Sequence, residues 1–197
     1  MNYPMGIKKT KTINHGNRGM SLEGAINETN EYYLANDIAV IHKKPTPVTI
    51  TKVDFPSRRD AVIKEAYFKI PSTTDYNGIY KGRYIDFEAK ETRLNFFPLA
   101  NIHRHQIIHL KKIIENGGIG FLLIMFSKFD TIFLLDGEKL FNFLQEGKRK
   151  SIPYAFFEKE GYQIKEKYQP RIDYLEVVQK IYFKGEPVWI RKSLLKH

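Results

Sequence analysis

The chain has 197 residues, of which 42% are hydrophobic and 14% aromatic, so it is long and apolar enough to bury one core without cross-links. It contains no cysteine, which excludes a disulfide framework, a thiol nucleophile and a cysteine zinc site. With 32 Lys and Arg against 22 Asp and Glu, the formal charge of +10 favours a polyanionic partner such as nucleic acid; the alternative is a basic surface that serves only solubility.

The N-terminal part is predicted to start with a flexible basic arm, because residues 1–18 carry four lysines or arginines and no acidic residue. Residues 19–197 are predicted to form one domain. Its first elements are a helix capped by Ser21 and ending near Asn36, strands at 38–41 and 48–53, and a basic excursion from the core at 55–71.

The central and C-terminal parts alternate strand and helix patterns. Two strands at 72–76 and 83–91 are predicted to form a hairpin, whose connection contains the turn formers Asn77-Gly78 and Gly82. The remaining elements are a helix at 99–115, strands at 119–126 and 131–135, and helices at 137–145, 154–160 and 171–183. This order predicts an α/β fold with a central mixed sheet.

Hydropathy indicates no membrane segment. The longest apolar run, Ile119–Phe126, is far shorter than the roughly 20 residues that cross a bilayer, and no apolar segment follows the first charges. We therefore expect a soluble, cytoplasmic protein.

The strand predicted at 83–91 carries the residues with the clearest chemistry. Residues two apart in a strand share a face at roughly 6.6 Å, so Asp86, Glu88 and Lys90 are predicted on one side. The hairpin would fold Asp75 back beside Glu88, and two carboxylates this close need a shared proton or a divalent cation. Oxygen ligands favour Mg²⁺ or Mn²⁺, and Lys90 would neutralise charge building on a phosphate. The pattern predicts a phosphodiesterase site.

This pattern has an alternative interpretation, because it also fits the solvated face of a hairpin with a cross-strand ion pair. Three features favour catalysis: the basic charge, the hydroxyls of Ser72, Thr73 and Thr74 before the first acid, and Gln106 on the apolar face of the next helix. Leaving a buried amide unsatisfied costs about 1–3 kcal/mol. Gln106 is therefore predicted either to join the metal site or to be satisfied by backbone groups.

Two other sets of residues are candidates at this site. His105 and His109, spaced i and i+4, form an alternative zinc pair, although Gln106 stands where an H-E-x-x-H motif has its glutamate. Glu23 in the first helix is a candidate accessory residue, and its alternative role is a favourable interaction with the helix dipole.

Longer blocks of residues extend the acid-acid-lysine pattern over nearly the whole chain. They are 18–23 (RGMSLE), 37–48 (DIAVIHKKPTPV), 71–78 (PSTTDYNG), 84–92 (YIDFEAKET), 101–103 (NIH) with Gln106, and 168–175 (YQPRIDYL). Together they resemble the RecU-type Holliday-junction resolvases, and their length makes this match much more specific than the short pattern.

The resemblance implies a restriction-endonuclease-like core, in which helices flank the central mixed sheet and a stalk protrudes. It implies a homodimer that nicks two opposed strands of four-way junction DNA symmetrically in recombination and repair, with Mg²⁺ as cofactor and Mn²⁺ as its substitute. By resemblance, the metal ligands fall on Thr73, Asp75, Glu88 and Gln106, and the lysine that stabilises the transition state is Lys90.

The stalk corresponds to residues 55–71. The resemblance implies DNA contacts by Arg58, Arg59, Lys64 and Lys69, with Arg18 and its arm reaching a further phosphate. The arm is shorter than the family leads us to expect, which leaves open its role and any contacts with recombination proteins. Two other functions stay open: a restriction or repair nuclease for linear or mismatched duplex DNA, and a non-catalytic basic DNA-binding module.

Overall fold

The computed structural model describes residues 21–55, 60–69, 73–147 and 149–185. The helices in these ranges are α1 (Leu22–Ala35), α2 (Arg104–Glu115), α3 (Gly137–Gln145), α4 (Tyr154–Glu160) and α5 (Tyr174–Tyr182), with a 3₁₀ turn at Leu99–Asn101. The strands are β1 (Val40–Lys43), β2 (Val48–Asp54), β3 (Val62–Phe68), β4 (Tyr76–Tyr80), β5 (Arg83–Thr92), β6 (Phe96–Pro98), β7 (Ile119–Phe126), β8 (Thr131–Asp136), β9 (Ser151–Pro153) and β10 (Tyr162–Ile164). None of these helices is long and apolar enough to span a membrane.

Six strands form the main sheet in the order β1-β4-β5-β7-β8-β10. β5 and β7 are parallel and are connected through α2, whereas the other neighbouring pairs are antiparallel. The predicted α/β fold with a mixed sheet flanked by helices is confirmed. β2 and β3 pair with each other in a separate ribbon, and β6 pairs with β9.

The two sides of the sheet carry separate apolar cores. Ile85 and Phe87 of β5 pack toward α1 and α5. The acid between them, Asp86, contacts His109 of α2 on the opposite side. β7 is buried along almost its whole length, because its alternate residues enter both cores. The alternation of β5 therefore directs Asp86 and Glu88 to the α2 side of a well-packed sheet.

The β4–β5 turn lies at the end of the predicted connection, because the strand predicted at 72–76 is observed at Tyr76–Tyr80. The turn consists of Lys81 and Gly82, whose φ angles of 48° and 78° lie in the left-handed region that a two-residue hairpin turn requires. Asn77 and Gly78 lie inside β4. A Cβ at Gly78 would come within 2.1 Å of the carbonyl oxygen of Val40 in β1. Glycine is needed there for close packing of two strands, not for a turn.

Several other bounds also differ from the predictions. α2 begins only at Arg104, because the 3₁₀ turn precedes it, and α5 begins at Tyr174 rather than at residue 171. The strand predicted at 38–41 is observed at Val40–Lys43. β6, β9 and β10 have three residues each and are not predicted, since such short segments show no periodicity.

The excursion predicted at 55–71 does leave the core, although residues 56–59, 70 and 71 lie outside the described ranges. Its described part contains β3, which pairs with β2 in an antiparallel ribbon. Every residue of β3 is exposed, and β2 contains no buried residue. The ribbon therefore lies outside both cores.

Candidate active site

The hairpin brings Asp75 and Glu88 together. Tyr76, the first residue of β4, is opposite Phe87 of β5, so Asp75 lies beside Glu88 at the end of the ladder. The backbone N–H of Asp75 donates a hydrogen bond to Glu88 Oε2 at 3.1 Å. The two predicted acids are therefore neighbours, as the sequence interpretation requires.

Lys90 completes the central part of the site. Its Nζ lies 2.5 Å from Glu88 Oε1, and the Glu88 side chain is fully buried whereas that of Lys90 is 25% exposed. Burial is the main cause that raises the pKa of Glu88 to about 7; Asp75 raises it further, and Lys90 lowers it. Near neutral pH the site therefore binds and releases a proton readily, and a cation beside Glu88 would favour its charged form.

A stack of aromatic rings supports the acids from the opposite side of the sheet. Tyr76 stacks on Phe87, and Phe87 stacks on Phe121, each pair with a centroid distance of 4.8 Å. These three residues belong to β4, β5 and β7. The stack therefore helps to hold β4 and β5 in register next to Asp75 and Glu88.

A cavity of about 130 Å³ opens beside Asp75 and Lys90. It is lined by Ser21, Leu22, Glu23, Asp75, Tyr76, Ala89, Lys90 and Glu91. Ser21 accepts a hydrogen bond from the backbone of Gly24 at 3.2 Å and caps α1, which places Glu23 at the cavity wall. The Glu23 carboxylate is paired with Lys43 Nζ at 2.5 Å. Its accessory role is supported by position and remains a prediction.

Thr73 and Gln106 are the other two predicted metal ligands. Thr73 is half-buried, and its hydroxyl donates to the carbonyl of Thr74 at 3.4 Å. Gln106 is 4% exposed, so it does point inward. Its Oε1 accepts from the backbone N–H of His103 at 2.9 Å in a capping box at the start of α2. This contact is the backbone alternative considered for Gln106, and its role as a ligand remains a prediction.

Asp86 has contacts that the sequence interpretation missed. It is fully buried and accepts hydrogen bonds from Lys44 Nζ at 2.7 Å, Tyr84 Oη at 3.1 Å and the hydroxyl of Thr74. His109 Nε2 lies 3.1 Å from the same carboxylate. The alternation that placed Asp86 on the face of Glu88 was the one available signal, because its partners come from distant segments.

The zinc alternative finds no support in the described residues, among which no three His, Asp or Glu side chains are grouped to hold a metal. His109 contacts Asp86, whereas the ring of His105 stacks on His103 at 5.3 Å. The proposed magnesium set is of a different kind, since it combines two acids with hydroxyl and amide oxygens.

The predicted DNA contacts are only partly within the described ranges. Lys64 is in β3, where its Nζ lies 3.6 Å from Asp54 of β2, and both side chains are exposed. Lys69 follows β3 and is exposed, and its backbone N–H donates to Pro47 at 2.9 Å. Arg18, Arg58 and Arg59 lie outside the described residues.

The central strand of the mixed sheet carries Glu88 and Lys90, and Asp75 lies beside them just before the other strand of the hairpin, an arrangement of the kind that a metal-dependent nuclease requires. The family model RecU, Recombination protein U, matches residues 17–180. The chain belongs to the RecU family.

Relatives support this membership over most of the chain. The Holliday junction resolvase RecU of Geobacillus sp. WCH70 is 56% identical over 174 residues, covering 86% of this chain and 87% of its own. That of Oceanobacillus iheyensis is 55% identical over 197 residues, covering 93% and 100%. The solved structure of Archaeoglobus fulgidus Hjc, a Holliday junction resolvase, covers 66% of this chain and 86% of its own, with 9% identity and a TM-score of 0.41. A TM-score this low does not define the fold, which is given by the sheet topology of this chain.

Proposed function

We propose that this protein resolves four-way Holliday junctions by Mg²⁺-dependent cleavage in DNA recombination and repair. The observation that carries the proposal is the cluster at the hairpin, in which Glu88 lies 3.1 Å from the Asp75 N–H and 2.5 Å from Lys90 Nζ. Relatives more than 50% identical over most of the chain are named Holliday junction resolvases. The names of these relatives support junction DNA as the substrate, and the cluster of Asp75, Glu88 and Lys90 supports metal-dependent cleavage.

The donor set suits a hard divalent cation. Asp75 and Glu88 are neighbours, and burial raises the pKa of Glu88 to about 7, so a bound cation would offset the cost of a buried, charged carboxylate. Asp75 and Glu88 would hold it, with oxygens of Thr73 and Gln106. Gln106 Oε1 has two lone pairs, so it can keep the bond from His103 and still offer one to a metal. Mn²⁺ is expected to substitute, because it takes the same ligands.

The residues of the site would have different roles in the proposed cleavage of the phosphodiester bond. The bound cation would lower the pKa of an attacking water and stabilise charge on the phosphate. Lys90, at the open side of the cluster, would contact the phosphate oxygens and offset their growing charge. Glu23 at the cavity wall would orient water as an accessory acid. A homodimer would carry two such sites and cut two opposed strands symmetrically.

The β2–β3 ribbon is proposed to enter the junction centre. Tyr67 and Phe68 are 67% and 80% exposed, and exposed aromatic rings stack on unpaired bases. Lys64 and Lys69 lie on the same ribbon or directly after it, where they would contact phosphates. Arg18, Arg58 and Arg59 are proposed to add phosphate contacts. Contacts with recombination proteins and a cytoplasmic location also remain proposals.

The test compares a mobile four-way junction with a linear duplex of matched sequence, each incubated with the full chain in Mg²⁺ and in EDTA. The proposal predicts paired nicks in the junction, little cleavage of the duplex, and no cleavage in EDTA. Equal rates on both substrates would favour a restriction or repair nuclease. Junction binding without any metal-dependent cleavage would favour the non-catalytic module.

A further inference from the structure

Asp86 is a fully buried carboxylate that lies outside the predicted ligand set. Burying a charge is costly unless donors satisfy it. Asp86 has such donors in Lys44 Nζ at 2.7 Å, Tyr84 Oη at 3.1 Å and the Thr74 hydroxyl, with His109 Nε2 at 3.1 Å. These contacts restrain the Asp86 carboxylate and the side chains that bind it.

Two of these groups lead directly to Asp75. Thr74 precedes Asp75 in the chain, and its hydroxyl is held by Asp86 and by Lys44 Nζ at 3.0 Å. The backbone N–H of Lys44 also donates to the carbonyl oxygen of Asp75 at 2.7 Å. The segment that carries Asp75 is therefore tied both to β5, through Asp86, and to the end of β1, through Lys44.

The need for such ties follows from where Asp75 lies. It comes just before β4 begins, so the ladder between β4 and β5 does not fix its backbone on its own. Asp86 and Glu88 are two residues apart on β5 and share a face. A link from Asp86 to Thr74 therefore sets the spacing between Asp75 and Glu88.

We infer that Asp86 is a positioning residue: through Thr74 and Lys44 it holds Asp75 at the distance from Glu88 at which both acids bind one cation. This inference rests on the proposed function. In this role Asp86 would contact neither substrate nor cation. A network that only stabilises the fold, or a carboxylate that attracts the cation merely by charge, would give different results in the following experiment.

The experiment measures Mn²⁺ affinity of the full chain by calorimetry without DNA, together with the melting temperature of each variant. Thr74→Val removes the hydroxyl without changing any charge, and we expect about tenfold weaker binding. Thr74→Ser keeps the hydroxyl and should bind within about twofold of the unmodified chain. Adding Thr74→Val to Asp86→Asn should weaken binding little further, because both changes break one link.

Lys44→Met separates positioning from charge. Removing a positive charge near the site would strengthen cation binding if charge alone mattered, whereas loss of positioning weakens it. Asp136→Asn is the matched control, because Asp136 is a buried aspartate of β8 that caps α3. That variant should melt at a lower temperature with its Mn²⁺ affinity unchanged.

Wild-type affinity in Thr74→Val, or tighter binding in Lys44→Met, would overturn the inference. Should Thr74→Val not fold, the direction of change in Lys44→Met decides. Asp75→Ala tests the proposed metal site separately from the role of Asp86. If this variant binds Mn²⁺ as tightly as the unmodified chain, the proposed metal site itself is wrong. Loss of binding in Asp75→Ala with no effect in Thr74→Val refutes only the role of Asp86.

Discussion

The candidate active site on the main sheet and the β2–β3 ribbon both combine charged with apolar residues, but they differ in how far these residues are buried. At the candidate active site, Asp86 and Glu88 are fully buried beside lysines, on the opposite side of the sheet from a stack of aromatic rings. In the ribbon, no residue is buried, and Phe68 exposes 80% of its surface. One region fixes its side chains by packing, and the other presents them to solvent.

This difference separates two requirements of the proposed reaction. Cleavage needs two acids held at a fixed distance, which a packed sheet provides. Recognition of a branched substrate needs surface that can reach into it, and a two-stranded ribbon alone is only marginally stable. Apolar side chains on the ribbon gain nothing from a core, so their identity is better explained by what they bind. Substitutions should accordingly affect catalysis and stability in one region, and binding in the other.

The largest effect is expected for Asp75→Ala. Losing one carboxylate of the proposed metal site should slow junction cleavage on the order of 10⁴-fold, or about 5 kcal/mol of transition-state stabilisation. Junction affinity in EDTA should change little, because the ribbon is untouched. Single-turnover cleavage and gel-shift binding measure the two effects, with the exposed acid Glu115→Ala of α2 as control. Unchanged nicking would remove Asp75 from the active site.

The second-largest effect is expected when phenylalanine is replaced by alanine in the main sheet, and the same change in the ribbon serves for comparison. Phe121→Ala should lower the free energy of unfolding by about 3–5 kcal/mol, because this ring is fully buried in the aromatic stack. Phe68→Ala should change it by less than about 0.5 kcal/mol. Urea unfolding followed by circular dichroism measures both. A large loss in Phe68→Ala would mean that the ribbon packs against another part of the protein and is not a free surface.

The sequence predicts β5, the strand that carries the proposed active site, well because the alternation of its residues is local information. Alternation placed Glu88 and Lys90 on one face of β5, and the contacts of these residues agree. The contacts of Asp86 could not be predicted in the same way, because Lys44 and Thr74 come from segments that only tertiary structure brings together. Gly78 shows the same limit, since its reason for being glycine is the neighbouring strand β1.

Gln106 shows what a pattern can establish and what it cannot. Its position among apolar residues of the helix predicted that the amide is buried, and it is 4% exposed. The pattern could not identify its partner, because a capping box and a metal site both accept an inward amide. The hydrogen bond from the His103 N–H shows that Gln106 belongs to the capping box. A role for Gln106 in a metal site would depend on a bound cation, which sequence periodicity does not describe.

A smaller effect is expected from Glu88→Gln, and it depends on pH. Burial raises the pKa of Glu88 to about 7, above its ordinary value of 4.5. The folded state therefore binds a proton more tightly than the unfolded state, so Glu88 costs stability as pH rises from about 4.5 to 7, and the cost is constant above that. In EDTA at pH 8, Glu88→Gln should stabilise the protein by roughly 3 kcal/mol at most.

Thermal unfolding at pH 4 and pH 8 measures this dependence. The variant and the unmodified chain should unfold nearly alike at pH 4, where Glu88 is mostly protonated in both states, and should differ at pH 8. Glu115→Gln at the exposed end of α2 is the control and should show no such dependence. Equal stability of Glu88→Gln and the unmodified chain at pH 8 would mean that Lys90 fully compensates the buried charge.

The smallest effect is expected for Lys64→Ala in the ribbon. Its matched control is Lys111→Ala in α2, which packs on the main sheet. Lys64 lies 3.6 Å from Asp54, and Lys111 of α2 lies 3.7 Å from Glu115, with all four side chains exposed. Exposed ion pairs contribute at most about 1 kcal/mol, so neither alanine variant should change stability much. If the ribbon enters the junction, Lys64→Ala alone should weaken binding several-fold and reduce the slope of log affinity against log salt by about 0.9. Binding measured from low to moderate salt tests this, and equal slopes for the two variants would show that the ribbon makes no phosphate contact through Lys64.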